Sequence, residues 1–162
     1  MKLINNTRIP DEVLTAVLSA AARALHKRLR TGGVVVQVTY HQGISGSSGV
    51  AYRATQVRWG RGNRWIKTDG GAFRVRLPRR PYDYVRTATN FFETARHEWG
   101  HIHDYQVGGL YFSRGRRRPA HDHRPEERRV DQYIARAHTG PDDYYDEIMQ
   151  LAIEIEKQRN NE

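Results

Sequence analysis

The chain contains no cysteine among its 162 residues. Disulfides and thiolate metal sites are therefore excluded, and any metal must be held by His, Asp or Glu. The absence does not fix a compartment, because a cysteine-free chain works anywhere. Lysine is scarce as well: Lys2, Lys27, Lys67 and Lys157 are the only ones, and arginine supplies the rest of the 27 basic residues. No long apolar run is present either. The stretch from Met1 to Leu25 carries Pro10, Asp11 and Glu12 ahead of its apolar part and Ser19 and Arg23 within it, so it lacks the form of a secretory signal. Nothing approaches the roughly 18 apolar residues of a membrane span. The expectation is a cytoplasmic protein with no membrane partner.

Acidic residues are outnumbered, 18 against 27, which leaves a net charge of +9. A basic surface attracts nucleic acid, anionic membranes and acidic proteins without selecting among them. Arginine usage of this kind also follows from the coding bias of a GC-rich genome.

The length suits one domain, and no internal repeat or linker divides residues 1–162. Pro10 to Arg30 reads as a helix, with Val13, Val17, Leu18, Ala21, Leu25 and Leu29 at helical spacing and Gly32-Gly33 behind it. The period then changes. Val34 to Gln42 is β-branched and aromatic, Gly43 to Gly49 reads as a loop, and Val50 to Gly60 alternates. Phe73, Val75 and Leu77 alternate with Arg74 and Arg76, which predicts a strand with one wet face. Helical spacing returns from Arg86 to Gly109, then from Pro125 to His138, then from Asp142 to Asn160. The pattern predicts an α+β fold: an N-terminal helix, a small twisted sheet, a histidine-bearing helix and C-terminal helices.

The third block holds "ARHEWGHIHDYQ", with His97, Glu98, His101, His103 and Asp104 close together. On a helical wheel His97, His101 and Asp104 share one face and Glu98 lies beside it. Phe91, Ala95, Trp99 and Ile102 form the apolar face. Histidines at i and i+4 stand one turn apart, which suits two nitrogen ligands on one zinc. The intervening Glu98 is placed to accept a proton without being a ligand. A solvated, histidine-rich helix face is the alternative. Gly100 adds weight, since glycine inside a helix costs about 1 kcal/mol relative to alanine. A neighbouring helix that must approach closely, bringing a third ligand, would justify it.

Catalytic zinc sites take three protein ligands and a water. Glu127, His123 and Glu126 are the candidates, in that order. Asp131, four residues beyond Glu127, can orient a ligand histidine through its second ring nitrogen, support that Glu126 lacks because Val130 stands at its offset. Ordinary charge pairing with Arg128 or Arg129 is the competing reading of Glu127 and Asp131.

"HEWGH" followed by a helix carrying "EERRVDQYIA" resembles the gluzincin metallopeptidases, and "ERRVDQYIA" is similar to the corresponding helix of the ImmA/IrrE-like peptidases of phage and mobile elements. Val130 stands for the usual Ala and Tyr133 for the Phe. The likeness covers about Thr87 to Ala137. It implies a zincin-like fold and peptide-bond hydrolysis, with zinc on His97, His101 and Glu127 and with Glu98 as general base. It also implies a second oxyanion donor, for which His103, Tyr105, His138 and Tyr144 are the candidates. In such enzymes the substrate lies along an edge strand, and the strand of Phe73, Val75 and Leu77 is the one expected there.

A weaker likeness joins "HEWGH" and "HRPEERR" to the SprT-like proteases. There the third ligand is a histidine, here His123, and the proteins associate with DNA. A third reading is a metal-stabilised regulator that grips DNA or protein with little turnover. The arginines Arg114 to Arg118, between the two ligand helices, would recruit an acidic protein substrate or nucleic acid, or would simply be solvated.

Overall fold

The computed structural model of the chain describes residues 1–26, 29–44, 46–52, 56–59, 64–68, 70–107, 124–137 and 139–160. The elements run β1 (Lys2–Asn5), α1 (Asp11–Leu25), β2 (Val35–His41), β3 (Ser48–Tyr52), β4 (Gln56–Val57) and β5 (Ile66–Lys67). They continue with β6 (Ala72–Pro78), α2 (Tyr84–Gln106), α3 (Arg124–Ala135), a 3-10 turn at Pro141–Tyr144 and α4 (Tyr145–Asn160). Among the described residues four helices and a small mixed sheet form an α+β fold of one domain.

The sheet has strand order β1-β2-β6-β3. β1, β2 and β6 are parallel, and β3 runs antiparallel to β6 with Gly49 opposite Val75. Val36, Val38, Phe73, Val75 and Leu77 are buried on the inner face, against α1 and α2. Phe91, Ala95, Trp99 and Ile102, the expected apolar stripe of α2, are fully buried. Trp99 fixes the helix on two sides. Its indole N–H donates to the Leu18 carbonyl at 2.9 Å, and its ring meets Phe73 edge-on with centroids 4.9 Å apart. Asp83 starts α2 by accepting a hydrogen bond from the Arg86 backbone N–H at 2.9 Å.

Three elements differ from the sequence reading. β1 is an added strand; four residues ahead of a proline give too little pattern, and its hydrogen bonds come from pairing with β2. α1 stops at Leu25 rather than continuing to Arg30, because His26 turns extended and lays its ring on His103 of α2, centroids 4.6 Å apart. β6 is not an edge strand: the edges of the sheet are β1 and β3. Ser48 and Gly49, which read as loop, extend and pair with Arg76 and Val75, and this moves β6 to the sheet interior.

Gly100 has the steric role its position suggests. A β-carbon there would stand 2.5 Å from Cγ1 of Val130, so α3 rests directly on the α2 backbone at this turn. Val130 is fully buried and, being β-branched, has little freedom to move. Gly100→Ala gains about 1 kcal/mol of helix propensity but incurs an overpacking cost of about 1–3 kcal/mol. The expected result is a lower melting temperature together with weaker metal binding, because the shift moves α3. Thermal denaturation of the variant, with and without zinc, checks both.

Candidate metal centre

α2 and α3 bring three side chains together. Ligand atoms of His97, His101 and Glu127 all lie within 4.8 Å of one another. His97 Nε2 is 2.9 Å from one Glu127 carboxylate oxygen, and His101 Nε2 is 3.2 Å from the other. A tetrahedral ion with bonds of about 2.0–2.1 Å holds its ligand atoms about 3.3 Å apart, so the cluster has the scale of a single metal site. The donor set, two imidazoles and one carboxylate with no sulfur, suits a divalent transition ion. This group can hold a metal ion. Of the candidate third ligands, Glu127 belongs to the group. Glu126 is buried elsewhere on α3, and His123 lies outside the described residues.

Glu98 is only 5 % exposed, and its Oε2 has no hydrogen-bond partner among the described residues. Burial, reinforced by the nearby Glu127 charge, pushes its carboxyl up to about 8. Burial also holds His101 below its ordinary range, in its neutral, ligating form, against the opposing charge of Glu127. For Glu98 the linkage runs against stability. In metal-free protein the unfolded chain releases the proton near 4.5 while the folded chain keeps it to about 8. Stability therefore falls as pH rises through that window. Glu98→Gln should flatten that slope, which denaturant unfolding of chelated protein at several pH values would measure.

The edge strand reaches the same place. A β-carbon on Gly49 would overlap the Glu98 carboxylate, standing 2.6 Å from Cγ and 2.7 Å from Cδ. Only glycine lets β3 pass this close. In the sequence Gly49 reads as loop flexibility, and this contact stays hidden, because a Gly/Ser run carries no strand signal.

No protein-family model, no curated protein and no solved structure matches the chain. The chemistry of the site must be read from its own residues.

The supporting carboxylate is not the one expected. Asp131 lies exposed on α3 and makes no hydrogen bond or ion pair with either histidine. A different carboxylate, Asp104, three residues beyond His101, joins the two helices that carry the cluster. It is 1 % exposed and accepts two hydrogen bonds from Arg129, at 2.7 and 2.6 Å, and one from the Tyr133 hydroxyl at 2.9 Å. Burial raises the Asp104 carboxyl, but the Arg129 and Tyr133 hydrogen bonds outweigh it and hold the group below its ordinary range. Arg129 and Tyr133 belong to α3, so the Asp104 carboxylate ties that helix to α2 one turn from the cluster. Its negative charge also favours the charged form of His101.

Asp104→Ala leaves a partly buried guanidinium without its carboxylate. Breaking such a pair costs about 3–5 kcal/mol when fully buried. Arg129 retains some solvent contact, so a loss of about 2–4 kcal/mol is expected. Metal affinity should drop about 10–100-fold as α3 loosens. Urea denaturation and a zinc titration measure the two effects.

The four suggested oxyanion donors separate. His103 stacks on His26 and meets Tyr133 edge-on, centroids 4.9 Å apart. Tyr144 packs on Phe92, centroids 5.6 Å apart, and carries the Arg23 guanidinium. Both line a cavity beside the end of α1. Tyr105 stays on the sheet side of α2, its ring 3.5 Å from where a Gly71 β-carbon would stand. His138 and the Arg114–Arg118 segment lie outside the described residues. No helix among the described residues is long and apolar enough to cross a membrane.

Proposed function

We propose that the protein is a zinc-dependent metallopeptidase. The observation that carries this reading is the convergence of three side chains able to hold a metal with a buried carboxyl, its Oε2 unpartnered among the described residues, and the backbone of an edge strand. A structural metal site has no use for a buried carboxylate whose Oε2 finds no hydrogen-bond partner among the described residues. A hydrolytic site has, since a general base needs a proton acceptor that is not already satisfied.

His97, His101 and Glu127 would hold the ion. A bound zinc ion lowers the pKa of water and polarises a carbonyl oxygen. Glu98 accepts a proton from the attacking water and later passes it to the leaving amine. Its raised affinity for a proton in the metal-free chain fits that role. Burial keeps it desolvated, and a cation at the neighbouring ligands would bring it back toward neutrality. β3 pairs on one side only among the described residues, so its other edge is open to an extended peptide running past Gly49 and Glu98.

Incubation of the zinc-loaded protein with an unstructured protein substrate tests the reading. Cleavage at internal peptide bonds that stops with a chelator and returns with zinc supports it. Zinc-loaded protein that leaves a broad peptide library intact argues for a metal-stabilised module with no turnover.

A further inference from the structure

Parallel sheets are ordinarily covered on both faces. Here α1 and α2 cover only the inner face of β1, β2 and β6. Among the described residues the outer face is covered at one end alone, where Val57, Ile66 and Trp59 of the β4–β5 hairpin pack on Val35 and Ala72. The remainder presents Gln37, Thr39 and His41 of β2 beside Arg74 and Arg76 of β6. They line an open depression of about 470 Å3 that no carboxylate among the described residues lines.

The charge on this side of the molecule is segregated. From Val34 to Tyr82, which supplies every strand of the face except β1, Asp69 is the only acidic residue against nine arginines and lysines. The compensating acids cluster elsewhere, notably from Asp142 to Glu156, in the 3-10 turn and the C-terminal helix. No carboxylate among the described residues pairs with Arg74 or Arg76.

Aromatic rings are interleaved with these cations. The Arg74 guanidinium lies over Trp59, 5.3 Å from its centroid, and is steadied by the Gln37 side-chain oxygen. Tyr52, on the outer side of β3 and partly exposed, meets Trp59 edge-on at 5.6 Å. At the far end Arg79 lies over Tyr40 at 5.7 Å. On the hairpin Arg58 lies over the ring of Trp65, a residue that is 61 % exposed.

We infer that the open outer face of the sheet binds single-stranded nucleic acid, with Arg74 and Arg76 on phosphates and Tyr52 and Trp65 stacking on bases. A cationic track combined with exposed rings is what unpaired strands require. A duplex hides its bases and would leave the rings idle, and an acidic protein would need the charge but not the rings. Arg74 and Arg76 stand about 6.8 Å apart along β6, so each can take its own phosphate. The surface is separate from the metal centre: Gly49 and Ala51 of β3 face inward, while Val50 and Tyr52 face this side.

The test is fluorescence anisotropy of the full chain with a labelled 20-nucleotide single strand and with the matching duplex, over a range of salt. The single strand is expected to bind more tightly than the duplex. Arg74→Ser/Arg76→Ser should weaken single-strand binding roughly tenfold and lower the log–log salt slope by about 1.4, which is two phosphate contacts. Tyr52→Leu should weaken it about fivefold or more, the loss of one stacked base. Arg76 and Tyr52 are exposed and Arg74 is half-buried, and unchanged circular dichroism would show that the fold is kept. The inference is overturned by any of four results. These are no binding tighter than about 100 μM, unchanged affinity in the arginine variant, duplex binding as tight as single-strand binding with no effect of Tyr52→Leu, and binding that is lost only on changing Arg114, Arg116, Arg117 and Arg118 to Ser. Preference for anionic lipid vesicles or poly-glutamate over the single strand would overturn it as well.

Discussion

Glu98→Gln is expected to bind zinc with the parent's stoichiometry and to lose about 10²–10⁴-fold in turnover. The substitution keeps the shape of the side chain, so the close passage of β3 at Gly49 and the packing of α2 are undisturbed. What it removes is the ability to accept a proton. Glu98 is not among the grouped ligand atoms, so metal affinity has no direct reason to fall. Stability should hold or improve above neutral pH, because the variant no longer carries a buried group that resists ionisation. Single-turnover kinetics on metal-loaded protein would separate the effect on the chemical step from any effect on substrate binding. A variant that retains full activity would remove Glu98 from the role assigned to it.

His101→Ala is expected to abolish stoichiometric zinc binding. His101 is buried beside Glu127, and burial keeps its ring neutral, so it is the better prepared of the two imidazoles. Its loss leaves one imidazole and one carboxylate, too few for a site that needs three protein ligands. Zinc at 100 times its dissociation constant should stabilise the parent by about 2.7 kcal/mol, or roughly 5–10 °C for a chain of this size. The variant should show no such shift. His97→Ala should behave similarly, with a smaller change in metal-free stability because its side chain is 30 % exposed against 10 % for His101.

The sequence announces part of this architecture and conceals the rest for physical reasons. The buried stripe of α2 is visible because Phe91, Ala95, Trp99 and Ile102 repeat at the helical period. The wet-faced strand is visible because Phe73, Val75 and Leu77 alternate with arginines. The pairing of His97 with His101 is visible because i and i+4 share a face of any helix. Gly100 is legible as well, since a glycine that costs helix propensity invites a steric explanation, and Val130 supplies it.

Tertiary relations are less legible. Glu127 joins the two histidines, but the support for it does not come from Asp131, which is exposed to solvent. The actual support, Asp104 with Arg129 and Tyr133, spans two helices, and helical spacing alone cannot tell which carboxylate meets which arginine across an interface. The edge strand is hidden for a similar reason. Strand order is set by pairing partners, and Gly49 carries no apolar side chain to announce its strand. The clustering of arginines with Tyr52 and Trp59 on one face joins residues from β3, the hairpin and β6, which no single window of sequence displays.

The central claim is that His97, His101 and Glu127 form one zinc site, and metal analysis of the purified, unchelated chain tests it most directly. The predicted result is about one zinc per chain, reduced to background in His101→Ala and in Glu127→Ala and retained in Glu126→Ala. Protein that carries no transition metal, and whose melting temperature does not rise when zinc is added, would contradict the account.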